Sequence, residues 1–363
     1  MESKQLLKNF NAFLNPKQIG YIIFYVTNRC NFRCKFCFYY AEIEKGRKPE
    51  ELTLEEIDKI SKSVGSLLQL SLTGGEPFVR KDFDKLTELW INNTKVKYIT
   101  IPTNASLPER MLKYLNYMLP KYKNTYFRIA FSIDGIKEEH DKNRSMVGSF
   151  KRIENAFTLI SPLRKKYGNL VLDSNTVLTS NTQGRIVDIL KYLDENFDFD
   201  NQTVTYARGD IKDPELKTKA EKEYREMNNF LNNRERTKEK RFLYPLYRGV
   251  RDVAWNNLMK TVFEDKFVTP CVAGKKLVVI SETGTVKPCE ILNDEIGNLR
   301  DYNFDFQKLM KSDQQKKIYK WIKDTKCKCS FECALAANVT WNPSQYTQLA
   351  KYAIKNIGQK ELK

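Results

Sequence analysis

The feature that most constrains this chain is a set of three closely spaced cysteines, Cys30, Cys34 and Cys37. They follow an apolar run, residues 21–26, of the kind found in buried parallel strands. Three thiolates on so short a loop can converge on one metal cluster. Iron–sulfur clusters are normally held by four cysteine thiolates, so a set of three leaves one iron open to a substrate or cofactor.

A zinc site, or three unrelated buried cysteines, is the alternative interpretation of this loop. Structural zinc sites usually take four ligands arranged in pairs. No fourth cysteine or histidine lies near the loop, and the only histidine of the chain is His140. The spacing therefore favours a cluster with an open iron.

Apolar runs alternate with amphipathic segments from residue 20 to residue 207, which predicts parallel βα units. The expected strands are residues 20–26, 68–73, 98–102, 127–133, 170–178 and 202–207. The expected helices begin after Thr53 and at residues 83–91, 108–118, 150–167 and 185–196. In such folds the chemistry collects at the carboxyl ends of the strands. Unusual residues follow the strands here, at 30–37, 73–77, 103–104, 132–135 and 208–209.

The cysteine loop resembles the motif of the radical S-adenosylmethionine (SAM) superfamily, C-x3-C-x-aromatic-C, with Phe36 in the aromatic position. In that family the open iron of a [4Fe–4S] cluster is chelated by the amino and carboxylate groups of SAM. The resemblance implies an α/β fold, a partial (β/α)6 TIM-like barrel, and an enzyme that abstracts hydrogen from its substrate. It also implies an electron donor such as ferredoxin or flavodoxin.

Residues 73–77 match the GGEP motif of the same family, which binds the amino group of SAM. Glycines let the backbone approach a ligand closely, and a carboxylate can pair with an ammonium. The resemblance therefore implies a SAM-binding role for Gly74, Gly75, Glu76 and Pro77.

Further SAM contacts are implied by position alone. Ser132 and Arg144 lie where related peptide-modifying enzymes contact the ribose and carboxylate of SAM, although a strand-end serine and a surface arginine are the plainer interpretation. Asn104 and Asp134 are expected at the same rim. Two residues of the fifth strand, Asn175 and Val177, are candidates for the ribose and adenine, or else face the core.

Five more cysteines follow in the C-terminal part of the chain, and the first two are spaced C-x12-G-x4-C. The segment between them predicts a β-hairpin with a Gly turn. This pattern resembles the SPASM and twitch extensions of radical SAM enzymes, which carry auxiliary [4Fe–4S] clusters. Too few cysteines remain for two such clusters, so one is the limit. We expect the ligands to be Cys271, Cys289, Cys329 and Cys333.

Cys327 is the alternative to Cys329 as the fourth ligand, because side chains two apart share a face of an extended segment. The cysteine left over is either inert or a hydrogen-atom donor to a substrate radical. A zinc site built from the same four thiolates is the alternative to the cluster.

The expected division of the chain is an N-terminal segment (1–19), a radical SAM core (20–209), a charged helical linker or lid (210–268) and an auxiliary-cluster extension (269–363). The charged segment is either a solvated helix that bridges domains or a lid over the substrate. Sequence alone leaves both open.

The net charge of +17 suggests either an acidic partner or lysines spread over solvated faces. The lysines are scattered rather than grouped, so nucleic acid is an unlikely partner. No apolar run is long enough to span a membrane, no secretory signal is evident, and the thiols suit a reducing cytosol. We expect a cytoplasmic enzyme acting on a peptide or a sugar-like small metabolite. The alternatives are an RNA-modifying enzyme and a non-catalytic iron–sulfur or zinc protein.

Overall fold

A computed structural model describes residues 13, 15, 18–46, 50–233 and 244–358. The short helix expected within residues 1–18 lies largely outside this range. The end of the expected charged helix, residues 234–240, also lies outside it.

The described residues form one sheet with the strand order β6-β5-β4-β3-β2-β1-β7-β8-β9. Its first six strands, all parallel to their neighbours, are β1 Tyr21–Thr27, β2 Gln69–Gly74, β3 Tyr98–Thr103, β4 Tyr126–Ser132, β5 Leu170–Leu178 and β6 Asn201–Tyr206. The bounds predicted from the sequence for these six strands agree with the structure to within one residue at either end. The prediction of a partial α/β barrel is confirmed.

Helices connect these strands and cover the outer face of the sheet. They are α1 Tyr40–Glu44, α2 Leu54–Val64, α3 Phe83–Thr94, α4 Pro108–Lys121, α5 Glu138–Arg144, α6 Ser149–Ile160, α7 Leu163–Lys166 and α8 Ile186–Asn196. The capping box expected at Thr53 is present, with the Thr53 hydroxyl and the Glu56 carboxylate each accepting the other's backbone N–H.

One expected helix is broken in two. Residues 150–167 were expected as one helix, but α6 ends at Ile160 and α7 begins at Leu163. Pro162 lies between them. Proline has no backbone N–H to donate and its ring clashes with the preceding turn, so a straight helix cannot continue through it.

Burial alternates along β3 and β4, with every second residue fully buried. Side chains alternate across a strand, so one set packs under the helices and the other lines the interior of the barrel. The lining residues of β4 include Arg128 and Ser132, which are half-buried. The barrel interior is therefore partly polar.

The expected C-terminal hairpin is confirmed, and it extends the barrel sheet. Its strands are β7 Leu277–Ile280 and β8 Thr285–Lys287, followed by the short β9 Gly297–Asn298. β7 pairs in parallel with β1, with Tyr21 opposite Leu277 and Phe24 opposite Ile280. Gly284 has a φ of +91° in the turn, a conformation that favours glycine.

Two short helices, α11 Phe306–Leu309 and α12 Asp313–Asp324, lead to α13 Glu332–Trp341. At the start of α13, the Glu332 carboxylate accepts the Tyr206 backbone N–H of β6 at 3.3 Å. At its end, the Trp341 ring packs against Gly20, where an added Cβ would lie 2.2 Å from the ring. Helix α13 therefore bridges the open side of the barrel, between β6 and the start of β1.

Three more helices, α9 Glu221–Asn233, α10 Tyr244–Val262 and α14 Tyr346–Gly358, pack with α13 beside β6. Tyr224 of α9 stacks on Tyr206 at 4.5 Å and on Trp255 at 4.6 Å between ring centroids. The segment expected as a linker or lid thus contributes buried aromatic side chains, while the domain boundaries themselves stay a prediction. No described helix is long and apolar enough to cross a membrane.

Candidate active site

The three-cysteine loop lies at the carboxyl end of β1, as expected for chemistry in a parallel barrel. Cys30, Cys34 and Cys37 share one apolar cluster, which also contains Phe32 and Phe36. The intervening Asn31, Arg33 and Lys35 are exposed. Side chains at alternate positions from Cys30 to Phe36 turn inward, so the loop covers its thiols with aromatic rings. Ile211 and Leu216 complete this apolar cover.

The thiols of the loop are harder to ionise than a free cysteine, because they are buried. Burial raises the pKa of Cys30 to about 12 and that of Cys37 to about 11, and it also raises the pKa of Cys34. A thiol must lose its proton to bind iron, so cluster assembly here displaces protons. The Phe32 N–H donates to the Cys30 sulfur at 3.4 Å. Such hydrogen bonds stabilise a ligating thiolate.

The Gly74–Glu76 segment docks directly onto the cysteine loop. The Gly75 N–H donates to the Thr27 carbonyl and the Glu76 N–H to the Arg29 carbonyl, each at 2.8 Å. A Cβ on Gly74 would lie 2.3 Å from the Thr27 oxygen, and a Cβ on Gly75 would lie 2.1 Å from the Arg29 oxygen. The glycines therefore let two backbone segments approach each other. The sequence had suggested that they make room for a ligand.

Glu76 is 2% exposed, and both oxygens of its carboxylate accept hydrogen bonds. One oxygen accepts the Thr103 hydroxyl at 2.8 Å and the Phe78 N–H at 3.2 Å, and the other accepts the Asn104 N–H at 2.8 Å. Burial raises the pKa of Glu76 to about 7, and the hydrogen bonds oppose that shift. Pro77 is buried and starts a 3-10 turn that fixes the Glu76 backbone.

Asn104 connects the loop to the Glu76 motif, as its position at the end of β3 suggested. Its side-chain amide donates to the Asn31 side chain at 2.9 Å and lies 3.9 Å from the Cys30 sulfur. Its backbone N–H holds Glu76. A single residue therefore contacts both the cluster loop and the carboxylate.

Arg144 and Asp134 form a buried pair beside the loop. Arg144 Nε donates to the Asp134 carboxylate, and Arg144 Nη1 lies 3.8 Å from the Cys34 sulfur. The other Asp134 oxygen accepts the Val177 N–H at 2.6 Å. Arg144 is therefore buried and partnered, in contrast to the surface arginine considered from sequence. It bridges the cluster loop to β5.

Two other predicted contacts lie on the same rim. Ser132 ends β4 and pairs across the sheet with Asn175, and both are half-buried. Val177 is half-buried two residues further along β5. Their place at the carboxyl ends of adjacent strands agrees with the expectation, and their proposed contacts with SAM stay predictions.

A second group of thiols lies in the C-terminal part. Cys271, Cys327 and Cys329 line one small cavity, whose wall includes Asn338 of α13. The negative charge of Cys289 adds to the rise in the pKa of all three thiols, after the larger effect of burial. Cys289 therefore lies close to this cavity, and its sulfur accepts the Leu292 N–H at 3.4 Å.

Cys333, also expected as a ligand, shares charged neighbours with Cys289. The pKa of the Cys333 thiol is raised to about 12, mainly by burial and next by the nearby Glu290 carboxylate, while Arg208 and a hydrogen bond from Tyr21 lower it. Glu290 and Arg208 also act on the Cys289 thiol. The choice of ligands among the five C-terminal thiols stays a prediction.

No three His, Cys, Asp or Glu side chains in the described part of the chain converge closely enough to hold a single metal ion. In a four-iron cluster each thiolate binds a different iron, so its ligands lie further apart than those of one ion. The three thiols of the loop share one apolar cluster, and three of the C-terminal thiols line one small cavity, so both groups are compatible with that looser requirement.

A charged network that sequence analysis did not assign lies between the two thiol groups. Arg208 pairs with Glu290 at 3.0 Å and with Glu332 at 2.7 Å. The Tyr25 hydroxyl donates to the other oxygen of Glu290 at 2.7 Å. Arg208 also lies 5.4 Å from the centre of the Phe38 ring, beside the cluster loop. The sequence did carry a signal, because Glu290 and Glu332 are each adjacent to a cysteine.

Comparison with known proteins agrees with this geometry. Residues 24–193 match the Radical SAM superfamily model. A GTP 3′,8-cyclase from Clostridium botulinum is 28% identical over 298 residues, which cover 79% of this chain and 85% of the relative.

Solved structures show the same fold. Native anSMEcpe with bound AdoMet superposes with a TM-score of 0.58 at 22% identity, covering 93% of this chain and 98% of that one. Streptococcus suis SuiB bound to the precursor peptide SuiA gives 0.57 at 19% identity, covering 87% and 70%. Members of the superfamily use a [4Fe–4S] cluster and SAM. The chain therefore carries a radical SAM domain over residues 24–193, which contain the cysteine loop, the docked Gly74–Glu76 motif and most of the partial barrel.

Proposed function

We propose that this enzyme reductively cleaves SAM and abstracts hydrogen from a peptide or an amine-bearing small metabolite, using one auxiliary iron–sulfur cluster. The observation that carries the proposal is the docking of Gly75 and Glu76 onto the cysteine loop through two backbone hydrogen bonds. It places a buried carboxylate beside three thiols. When bound, the reduced cluster and SAM supply a 5′-deoxyadenosyl radical.

The residues of the chain then have distinct roles. Cys30, Cys34 and Cys37 hold the cluster, and Glu76 accepts a hydrogen bond from the amino group of SAM. Arg144 stays fixed by Asp134 and places its positive charge beside the Cys34 thiolate. The aromatic and aliphatic cover over the loop excludes water, which protects a reactive radical.

The charge of the barrel interior supports a cationic or neutral substrate group. Glu290 and Glu332 face the interior with one guanidinium, Arg208, between them. A triphosphate brought to this network would meet two carboxylates, and such like-charge contacts reject a ligand. This argues against carrying the GTP substrate of the Clostridium relative over to this chain.

Exposed cations surround the cluster loop on its outer side. Arg33 and Lys35 are both exposed there, between cluster cysteines. A positive surface steers an acidic partner toward the site. This supports an acidic electron donor such as ferredoxin or flavodoxin.

The first test uses anaerobically reconstituted protein reduced with dithionite. The parent should release 5′-deoxyadenosine from SAM without any substrate, measured by liquid chromatography. Replacing Cys30, Cys34 and Cys37 together by Ala should reduce this release to background, whereas Lys35→Ala on the exposed side of the loop should retain it. Release by the triple variant at the parental rate would refute the proposal.

The substrate proposal has its own measurement. Added GTP should not raise the rate of 5′-deoxyadenosine release, while amine-bearing peptides or amino sugars that bind should raise it. If release rises with GTP and GTP is consumed, the enzyme is a nucleotide cyclase and the charge argument is wrong.

A further inference from the structure

The only histidine of the chain, His140, is fully buried beside the candidate active site and has no role in the function proposed above. We propose that His140 is a positioning residue that acts through Asp134 and holds the Arg144 guanidinium beside the cluster of the cysteine loop. The inference rests on that proposed cluster and goes beyond it by adding a residue that contacts neither the cluster nor SAM.

Three side chains of helix α5 bind the polar groups of Asp134. His140 Nδ1 accepts the Asp134 backbone N–H at 3.0 Å, and the Asn143 amide donates to the Asp134 carbonyl at 2.5 Å. Arg144 Nε donates to the Asp134 carboxylate. Residues three and four apart share one face of a helix, so 140, 143 and 144 reach the same target. This single helix face therefore fixes both the backbone and the side chain of Asp134.

The hydrogen bond defines the state of the His140 ring. A backbone N–H can only donate, so Nδ1 carries a lone pair and the neutral imidazole has its proton on Nε2. His140 Nε2 is buried and has no hydrogen-bond partner among the described residues. The ring otherwise packs edge-on against Phe150, with 5.7 Å between ring centroids.

Packing alone does not account for a histidine at this position. A phenylalanine would fill the same apolar space without burying the unpaired Nε2–H, which costs free energy. The bond that a phenylalanine could not make is the one to the Asp134 N–H. The feature that requires His140 is therefore its acceptor for Asp134.

Arg144 is the residue that this arrangement serves. Its Nη1 lies 3.8 Å from the Cys34 sulfur, its carbonyl oxygen lies 3.6 Å from the same sulfur, and its guanidinium lies 5.3 Å from the centre of the Phe36 ring. Reduction adds negative charge to a cluster, so a fixed positive charge beside one of its thiolates favours the reduced state. The same guanidinium is the expected contact of the SAM carboxylate.

The test compares two substitutions of His140 in the reconstituted full chain. His140→Phe keeps a ring against Phe150 but removes the acceptor for the Asp134 N–H. His140→Asn leaves a space beside Phe150, yet its amide oxygen is attached to Cγ, as Nδ1 is, and can accept the same N–H.

We expect His140→Phe to shift the midpoint potential of the loop cluster to a more negative value, because Arg144 is no longer held beside it. The dissociation constant for SAM should rise roughly tenfold, the size that loss of one buried hydrogen bond gives. His140→Asn should restore both values toward those of the parent.

Redox titration monitored by electron paramagnetic resonance gives the potential, after subtraction of the signal from the variant whose three loop cysteines are replaced by Ala. Isothermal titration calorimetry gives the dissociation constant, and urea titration gives the stability of each variant. A purely structural role predicts that potential and SAM affinity follow stability, so that the cavity left by His140→Asn gives no rescue. Parental values in an iron-loaded His140→Phe, or equal losses in the two variants, would overturn the inference.

A measurement on the unsubstituted chain decides the case even where a variant fails to fold. Because His140 is the only histidine, 15N-histidine labelling of tag-free protein gives the nuclear magnetic resonance signals of one imidazole. Nδ1 should be unprotonated and Nε2 protonated between roughly pH 6 and pH 8. A protonated Nδ1 in the oxidised, reconstituted protein would refute the inference. A parent that neither binds nor cleaves SAM would instead refute the proposed function, and the labelling result would stand apart from it.

Discussion

The two thiol groups of this protein are built in opposite ways. The first comes from one continuous loop at the end of β1, held by backbone hydrogen bonds from the Gly74–Glu76 segment. The second collects thiols from the region before β7, the end of the hairpin and the segment between α12 and α13. A continuous loop largely fixes its own geometry. A dispersed set depends on how the whole C-terminal part packs against the barrel.

The difference also determines which substitutions each site tolerates. The first site has no room at its glycines, where an added carbon would collide with backbone oxygen at 2.1–2.3 Å. The second depends on side-chain contacts such as Asn338 with Val272. We therefore expect small changes to disable the first site outright and to weaken the second by degrees.

The largest effect is expected from Gly75→Ala. Its new methyl group would lie 2.1 Å from the Arg29 oxygen, and since that atom is backbone the loop itself must shift. We expect loss of iron from the first site and of at least about 99% of SAM cleavage, because misplaced groups of an active site cost on the order of 100-fold. The second site should keep its iron, as measured by Mössbauer spectroscopy.

The matched control is Gly168→Ala. A Cβ there meets nothing within 4 Å, and the backbone is outside the left-handed region. This variant should keep both clusters and gain at most about 1 kcal/mol in its free energy of unfolding. Full iron content and parental activity in Gly75→Ala would contradict the docking argument.

The same contrast explains what the sequence could predict. Strand β1 was predictable because a buried parallel strand reads as a continuous apolar run, and the others because strand-like segments alternate with helical ones. The cysteine loop and Gly74–Glu76 were predictable because each is contiguous. The arrangement of the C-terminal thiols was not, since the spacing of Cys327, Cys329 and Cys333 does not say which of them line the cavity beside Cys271.

The charged pairs were missed for a related reason. Arg144 and Asp134 are ten residues apart, and their pairing depends on the path of the loop after β4. Arg208 meets Glu290 and Glu332 from a distant part of the chain. A sequence pattern shows neighbours along the chain, whereas the contacts of Arg208 form only when the residues after β6 meet Glu290, after β8, and Glu332 of α13.

A middle-sized effect is expected from Asn338→Ala at the second site. The change leaves the buried Val272 N–H without its acceptor, and an unpaired buried group costs about 1–3 kcal/mol. We expect the iron–sulfur absorbance of the second site to be lost at lower urea concentration, in an anaerobic titration. SAM cleavage without urea should stay near the parental rate.

Thr340→Ala is the control on the same helix. The Thr340 hydroxyl bonds only to the Ala336 carbonyl one turn back, at 2.8 Å. Hydrogen bonds of this kind add little to helix stability. The urea profile of Thr340→Ala should therefore overlay that of the parent protein. Equal profiles for Asn338→Ala and Thr340→Ala would show that the second site does not depend on this amide.

The smallest effect concerns pH and separates the first site from the second. Burial raises the pKa of Glu76 to about 7, so in the folded protein this carboxyl is protonated below that pH and ionised above it. The ionised form is the stronger acceptor for the N–H groups of the SAM amino group. The dissociation constant for SAM should therefore rise as pH falls below about 7, by at most about tenfold per pH unit, and should level off above it.

Isothermal titration calorimetry measures this slope. Titrations between roughly pH 6 and pH 8 bracket the shifted pKa of Glu76. Glu76→Gln should bind SAM more weakly and without the slope, while Glu55→Gln on the exposed face of α2 should keep the parental profile. His140 adds no slope, because burial lowers its pKa to about 3 and keeps it neutral throughout. A flat parental profile, or a slope retained by Glu76→Gln, would mean that another group binds the amino group of SAM.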